Sequence, residues 1–501
     1  MGRADVHDQQ PVFVGVGQWL QREDDLETAL GPLEAVEVAA RRAAQDAGLG
    51  VGELADLDTV GLVDPLGWRP QNAPGLLAER LGAKPAREVQ TALGGEMGCL
   101  LANDIAGAIA AGRSKMALVV GVNLLRTAMR ARAQEFDRAW PRGGAGEPER
   151  LGKLIPGTSE AETAYGLGLP VTIYPVLENA LRSHRGLSLS EHDAAMGRLM
   201  SGFTRVAAAN PYAWYPVERS AEELTAVSAN NRMVSFPYRK YLNSVLITDQ
   251  AATLLVLSAG EARRRGIPEE KWTYWRGGAH AFEPIWHFTE RPDLHRSSGF
   301  QSAATAALDA AGTSVDELDA FDFYSCFPVA VEVACDMLGL DESDPRGFTV
   351  TGGLPYAGGP GNAYTIHSLA AMVERLRAAD ARTGLVTGNG WYLTKHAATV
   401  LSAEPGERAL LPVAAAAASQ EPLPVVSEAR GSARVDSYTV VYDREGVPET
   451  GIVVGRLDTG ERFLAHTPTD RALLENFAAN EQVGRAGHVD FDGERNRFVP
   501  A

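Results

Sequence analysis

Residues 98–123 and 361–389 carry one pattern twice, and that repeat narrows the possible folds sharply. Gly98 opens a run of small and apolar residues that ends at Gly112, and K-M-A-L-V-V-G-V-N follows at 115–123. Gly361 opens a second run that ends at Arg377, and T-G-L-V-T-G-N follows at 383–389. Each copy reads as a buried helix feeding a buried strand that ends on Gly and Asn. The first run is nearly free of polar residues, which predicts a helix covered on most sides. Two such copies suggest an internal duplication of one α/β unit.

The segments around the repeats extend the pattern. Pro11 to Leu20 reads as a buried strand, Pro32 to Gly48 as an Ala-rich helix stopped by glycine, and Thr59 to Asp64 as a second strand. Ala251 to Ser258 resumes the strands after a break. Ser298 to Ala311 reads as a helix, Ala320 to Phe327 as a strand, Val329 to Leu338 as a helix and Phe348 to Leu354 as a strand. Ala363 to Ala378 is the helix of the second copy, and His396 to Ser402 the last strand. Strands alternating with helices predict parallel pairing and an α/β sheet.

Residues 124–245 break the alternation with Arg-rich and Gly/Pro-rich stretches and a helix of their own from Tyr174 to Arg185. Insertions of this length are usually functional. Beyond 405 the chain changes again. Leu411 to Glu421 reads as an alanine-rich linker. Arg434–Val441, Gly451–Leu457, Arg462–His466, Gly487–Phe491 and Arg497–Val499 alternate as strands of a small barrel. A chain of 501 residues has room for two or three domains. The expected units are 1–265, with the insertion inside it, then 266–410, then 411–501.

Four loops give this organisation a family. Gly95-Glu96-Met97-Gly98, Tyr324-Ser325-Cys326-Phe327, Gly358-Gly359-Pro360 and Gly388-Asn389-Gly390 stand before or between the repeated elements. They resemble the four catalytic loops of the thiolase superfamily, nearest to its sterol-carrier-protein type, over residues 10–405. The barrel at the end resembles the OB-fold of DUF35 proteins, without their zinc ribbon. The resemblance implies a five-layered αβαβα fold of two halves plus an OB-like barrel. It also implies coenzyme A thioesters as ligands, with CoA part of the substrate and no separate cofactor.

The residues that would do thiolase chemistry are missing from these loops. By this resemblance the nucleophilic cysteine maps to Gly95, the Asn or His of the second loop to Tyr324, the activating histidine to Gly359 and the second cysteine to Asn389. Acyl-enzyme chemistry needs a thiolate and a base, and glycine supplies neither. Cys99 is the one nearby thiol that could have taken over. Two readings compete: a CoA-ester-binding protein without thiolysis, and an aldolase-type lyase acting on a β-hydroxyacyl-CoA. A non-enzymatic scaffold for acyl-CoA enzymes is a third. For the lyase, Tyr324 is the first candidate, with Tyr364 and His367 one turn apart on the following helix. For CoA, the candidates are Arg126 and Arg130, with neighbouring Arg132, for phosphates. Gly352, Gly353, Gly358 and Gly361 are the candidates for close backbone approach.

Composition excludes other classes. The formal net charge is −17, and residues 411–501 hold nine Arg, no Lys and fourteen Asp+Glu. That argues against nucleic acid at the barrel and against anionic membranes. Three cysteines without metal or redox spacing fit a reduced, cytoplasmic setting. His280, His287 and His295 have no acidic or Cys partners at ligand spacing, so no metal is expected. The polar start of the chain predicts no signal peptide, and no apolar run spans a bilayer. Relatives in the superfamily dimerise through a strand near 88–95, so a homodimer is possible and a monomer is not excluded.

Overall fold

The computed structural model describes residues 6–406 and 411–501; the expected boundary at 410 and the first five residues lie outside this range. The duplication is real in space. One half-sheet takes the strands 149–151, 87–91, 59–62, 116–124, 249–258 and 11–20, in that order. The other takes 273–282, 395–402, 383–390 and 320–322. The halves meet where Val12 and Phe13 pair with Tyr274 and Thr273.

The two repeated helices, Met97–Ala110 and Tyr364–Arg377, form the middle layer. They touch closely because Gly98 faces Thr365 and Ile366, where any β-carbon would clash. Helix Pro32–Asp46 covers the outer face of the first half-sheet and Ser298–Ala311 that of the second. The result is the layered thiolase-type α/β fold. Strand Pro11–Leu20 sits at its centre and is almost wholly buried, which is why its apolar run shows no alternation.

Two expectations need correction. Phe348 to Leu354 is not a strand. The carboxylate of Asp322 accepts hydrogen bonds from the amides of Val350 and Thr351 and the hydroxyls of Thr349 and Thr351. A buried carboxylate that gathers these donors curls the segment into a turn. Likewise, the strand at 320 ends at Asp322, and 323–327 is a loop.

The C-terminal strands 431–442, 448–457, 462–466, 496–500 and 486–491 close into a five-stranded OB-like barrel. Helix Arg471–Ala479, unforeseen from sequence, plugs it with Leu474 and Phe477. The barrel is tied into the rest of the chain. Val441 pairs with Ser235 of the insertion, and Val413–Ala414 pairs with strand 273–282. The expected linker is therefore partly strand. Arg462, almost fully buried, donates to the carbonyls of Thr289 and Arg291 and to Asp436.

Strand Arg87–Thr91 begins the segment near 88–95 where the resemblance implied a dimer contact. Its outer edge is taken by Glu149–Leu151 of the same chain, with Ala92 donating to the Leu151 carbonyl at 2.7 Å. Arg87 fastens the pair through both carboxylate oxygens of Glu149. Among the described residues no helix is long and apolar enough to cross a membrane.

Candidate functional site

The strand Arg87–Thr91 delivers residues 92–96 to the start of the central helix, where a thiolase nucleophile would stand. Here that space is filled from across the site. A β-carbon on Gly95 would collide with the phenol oxygen of Tyr324 and with the Asn389 carbonyl. Tyr324 is half-buried and stands edge-on to Tyr364, ring centres 5.5 Å apart. Its hydroxyl makes no hydrogen bond to any described residue. Burial first, then Cys326, Tyr364 and Glu96, push that phenol well above its ordinary 10. It therefore keeps its proton at neutral pH, with that O–H left without an acceptor among the described residues.

The histidine position is filled in the same way. A β-carbon on Gly359 would collide with the hydroxyl oxygen of Ser244. The segment carrying Ser244 is held against the glycine loop by main-chain bonds. Gly359 donates to Val245 at 2.8 Å, and Val245 donates to Leu354 at 3.2 Å. Hydroxyls from elsewhere in the chain thus fill the space beside Gly95 and Gly359, the two positions where the resemblance implies catalytic side chains.

Beneath Gly95 lies a buried ion pair, Glu96 with Lys395 at 2.9 Å. Lys395 also donates to the Leu93 carbonyl at 2.6 Å. Gly94 and Gly390 leave the room it needs, since a β-carbon on either would strike the Glu96 carboxylate. Burial raises the Glu96 carboxyl above its ordinary value, and the Lys395 charge opposes that rise.

Asn389 stands where the second cysteine would be and donates to the Tyr174 hydroxyl at 2.9 Å. Tyr174 in turn donates to the Trp391 carbonyl at 2.8 Å. Trp391 and Leu393 have φ values of 58° and 50°, a left-handed backbone that costs bulky residues energy. Buried Arg291 holds this turn by donating to the carbonyls of Tyr392 and Leu393 and to the Thr394 hydroxyl.

No thiol substitutes for the lost one. Cys99 is fully buried in the central helix, and burial pushes its thiol up to about 12. Cys326 is buried and pushed up to about 12 as well. Neither carries a useful fraction of thiolate near pH 7.

The other candidates are scattered differently. Tyr364 joins Tyr324, its hydroxyl 2.8 Å from Thr351 Oγ1 and 3.3 Å from Asp322. His367 does not join them. It turns to strand Pro11–Leu20, where its Nδ1 is 2.8 Å from Gln18 Oε1, and burial lowers it to about 3. The glycines expected to approach CoA each have a close protein neighbour. Gly352 faces Ala207, Gly353 faces Phe203 and Ser325, Gly358 faces Gln250 and Gly361 faces Leu66, each too closely for a β-carbon. The amides of Gly352, Gly353 and Gly361 are committed to Thr349, Thr351 and Gly359. Arg126 and Arg130 bind the loop at Glu23 and Asp24. Arg132 shows no ion pair among the described residues.

Arg126 nevertheless borders a cleft of about 790 Å³. Arg126, Arg219 and Lys240 surround it, Trp214, Tyr241 and Tyr356 wall it, and Ser244 lies within it. The guanidinium of Arg126 lies 6.0 Å from the Trp214 ring centre. The cleft is thus lined both by cationic side chains and by Ser244, the hydroxyl beside Gly359.

Comparison with known proteins fixes the family. The chain is 35% identical to a monomeric SCP2-thiolase like protein type 1 from Mycobacterium smegmatis, covering 99% of this chain and 100% of that one, with a TM-score of 0.83. The chain belongs to the SCP2-thiolase-like protein type 1 family. A family model for the thiolase-like protein type 1 additional C-terminal domain matches residues 412–494, the barrel of this SCP2-thiolase-like protein. The solved Ltp2-ChsH2(DUF35) aldolase shares the fold at 19% identity and a TM-score of 0.57, over 79% of this chain and 98% of that one. A search of curated proteins returned no match.

Several site residues of this SCP2-thiolase-like protein carried no readable signal in sequence. Ser244 sits in an irregular part of the insertion, 115 positions from Gly359. Lys395 begins a strand, where a lone lysine reads as solvent-facing. The glycines at 94 and 390 were the available clue, because a buried carboxylate in a loop needs such space.

Proposed function

We propose that this protein binds a CoA thioester in the cleft between Trp214 and Ser244 and forms no acyl-enzyme on cysteine. The observation that carries the reading is the cleft itself. Its volume lies in the range of small-molecule sites, and its cations and aromatic walls suit a phosphorylated, partly apolar ligand. Arg126, Arg219 and Lys240 would meet the phosphates, and Trp214 and the tyrosines would flank the apolar arm. Lys240 is exposed and makes no ion pair among the described residues, so its charge is free for a ligand. The family's known monomer is named thiolase-like, which fits a retained ligand site with altered chemistry.

Isothermal titration of the full chain with CoA and acetyl-CoA tests this. Saturable binding, weakened by Trp214→Ala and blocked by Ser244→Trp, supports the reading. Absence of heat with both ligands, or equal affinity in the Ser244→Trp variant, refutes it.

A second reading rests on Tyr324. Its free phenol stands on the nucleophile's ground and keeps its proton. In a retro-aldol cleavage the β-hydroxyl of a β-hydroxyacyl-CoA gives its proton to solvent water, the Cα–Cβ bond breaks, the hydroxyl carbon becomes a carbonyl, and the electron pair of the broken bond leaves with the thioester fragment as an enolate. A neutral phenol is suited to hydrogen-bond that enolate and return a proton to Cα. If Tyr324→Phe leaves the cleavage rate of a β-hydroxyacyl-CoA substrate unchanged, Tyr324 has no such part.

A further inference from the structure

Away from the thiolase loops, three helices bring together side chains that no thiolase chemistry uses. We infer that Glu178, His192 and Glu332 form a site for one first-row divalent cation, Zn²⁺ or Mn²⁺. Glu178 lies on helix Pro170–His184, His192 on Leu189–Ala209 and Glu332 on Pro328–Leu338. One ligand atom from each, His192 Nε2 and two carboxylate oxygens, lies within 4.8 Å of the others. All three side chains are buried, none more than 1% exposed.

The second observation is what these groups lack. Neither carboxylate oxygen of Glu332 accepts a hydrogen bond from an N–H or hydroxyl donor, His192 Nδ1 has no partner, and the carboxyls of Glu332 and Glu178 face each other within hydrogen-bond reach. The nearest cation, Arg185, stands 4.0 Å from Glu332 and is already engaged by Asp336 at 2.8 Å and Glu342 at 2.5 Å. Two carboxylates taken out of water together need a proton or a cation between them. An imidazole with two carboxylates suits a borderline ion. Tyr238 donates to the second oxygen of Glu178, the outer partner that orients a ligating carboxylate.

Access is present. A cavity of about 200 Å³ opens beside His192, lined by Asp193, Arg182, Arg239 and residues 478–479 of the barrel. His192 and Glu178 touch directly in the metal-free arrangement. Seating an ion with bonds of about 2.1 Å would part them to roughly 3.4 Å. The ion would fasten the insertion to the second thiolase half. It would also fix the loop of Tyr324, because Tyr238 stacks on Phe327 with ring centres 5.3 Å apart.

The test uses untagged full-length protein stripped with EDTA. It is titrated with ZnCl₂ and, separately, MnCl₂, and bound metal is counted by elemental mass spectrometry. One ion per chain is expected, with a melting temperature that rises by a few degrees on loading and falls again with EDTA. Glu332→Gln and His192→Gln should each weaken binding about tenfold or more. His295→Ala should change nothing; that residue stacks on exposed His184 at 3.6 Å and is the obvious adventitious site. Absence of stoichiometric metal overturns the inference. So does binding that survives both cluster variants or is lost in His295→Ala. A Glu332→Gln protein that is more stable than its parent, with neither responding to metal, identifies a shared proton instead.

Discussion

The phenol oxygen of Tyr324 occupies the space that a β-carbon on residue 95 would need. A side chain at 95 and the phenol at 324 therefore exclude each other in this arrangement. Reinstating cysteine at 95 should not reinstate thiolysis. Gly95→Cys forces an overpacked contact and should cost about 1–3 kcal/mol in urea unfolding. Adding Tyr324→Ala should recover part of that loss. Neither variant should cleave acetoacetyl-CoA with free CoA, because Gly359 still supplies no base.

The thiols should be silent in the folded protein. Cys99 and Cys326 are both pushed up to about 12 by burial, and Cys335 is pushed higher still. A thiol-disulfide reagent at pH 8 should find no fast-reacting cysteine in the native state and three after denaturation. A fast native thiol that is protected by acyl-CoA would speak for a covalent mechanism.

Breaking the Glu96–Lys395 pair should hurt more than removing it. Glu96→Gln or Lys395→Met alone leaves one buried group unmatched, a loss of about 3–5 kcal/mol. The double variant should regain much of it. Chemical denaturation of the four proteins gives the coupling directly.

His367 should make stability fall in mild acid. Burial lowers its folded value to about 3 from an ordinary 6.5, so the unfolded chain binds the proton first. The stabilising contribution is complete above pH 6.5 and is lost as pH falls below it. At pH 5.5 the loss from this residue is on the order of 1 kcal/mol. His367→Gln, which can still bond Gln18, should flatten that part of the profile in unfolding measured from pH 7.5 to 5.5.

The chain should be monomeric. Glu149–Leu151 occupies the edge through which a second copy would pair, and Arg87 holds it there. Light scattering should return the chain mass of 53.5 kDa. Twice that mass would mean another face is used.

The layered fold was legible because buried strands and glycine-bounded helices announce themselves. Pro11–Leu20, Ser298–Ala311 and Arg462–His466 fall where their residues place them. The segment 348–354 was misread because its β-prone residues answer to a distant carboxylate, Asp322. The four loops were legible in sequence, but not which side chains pack against their glycines. Ser244 and Tyr324 act across long separations that no local pattern records. Glu178, His192 and Glu332 are equally invisible, lying on three helices up to 154 positions apart. His367 was placed on the right helix but on its far face.

The most direct test is a crystal structure of the protein soaked with a non-hydrolysable acyl-CoA analogue. The account predicts phosphates near Arg126, Arg219 and Lys240, the pantetheine arm beside Trp214, and an intact thioester mimic reaching Ser244. Phosphates bound elsewhere, or an acyl group joined to Cys99 or Cys326, would contradict it.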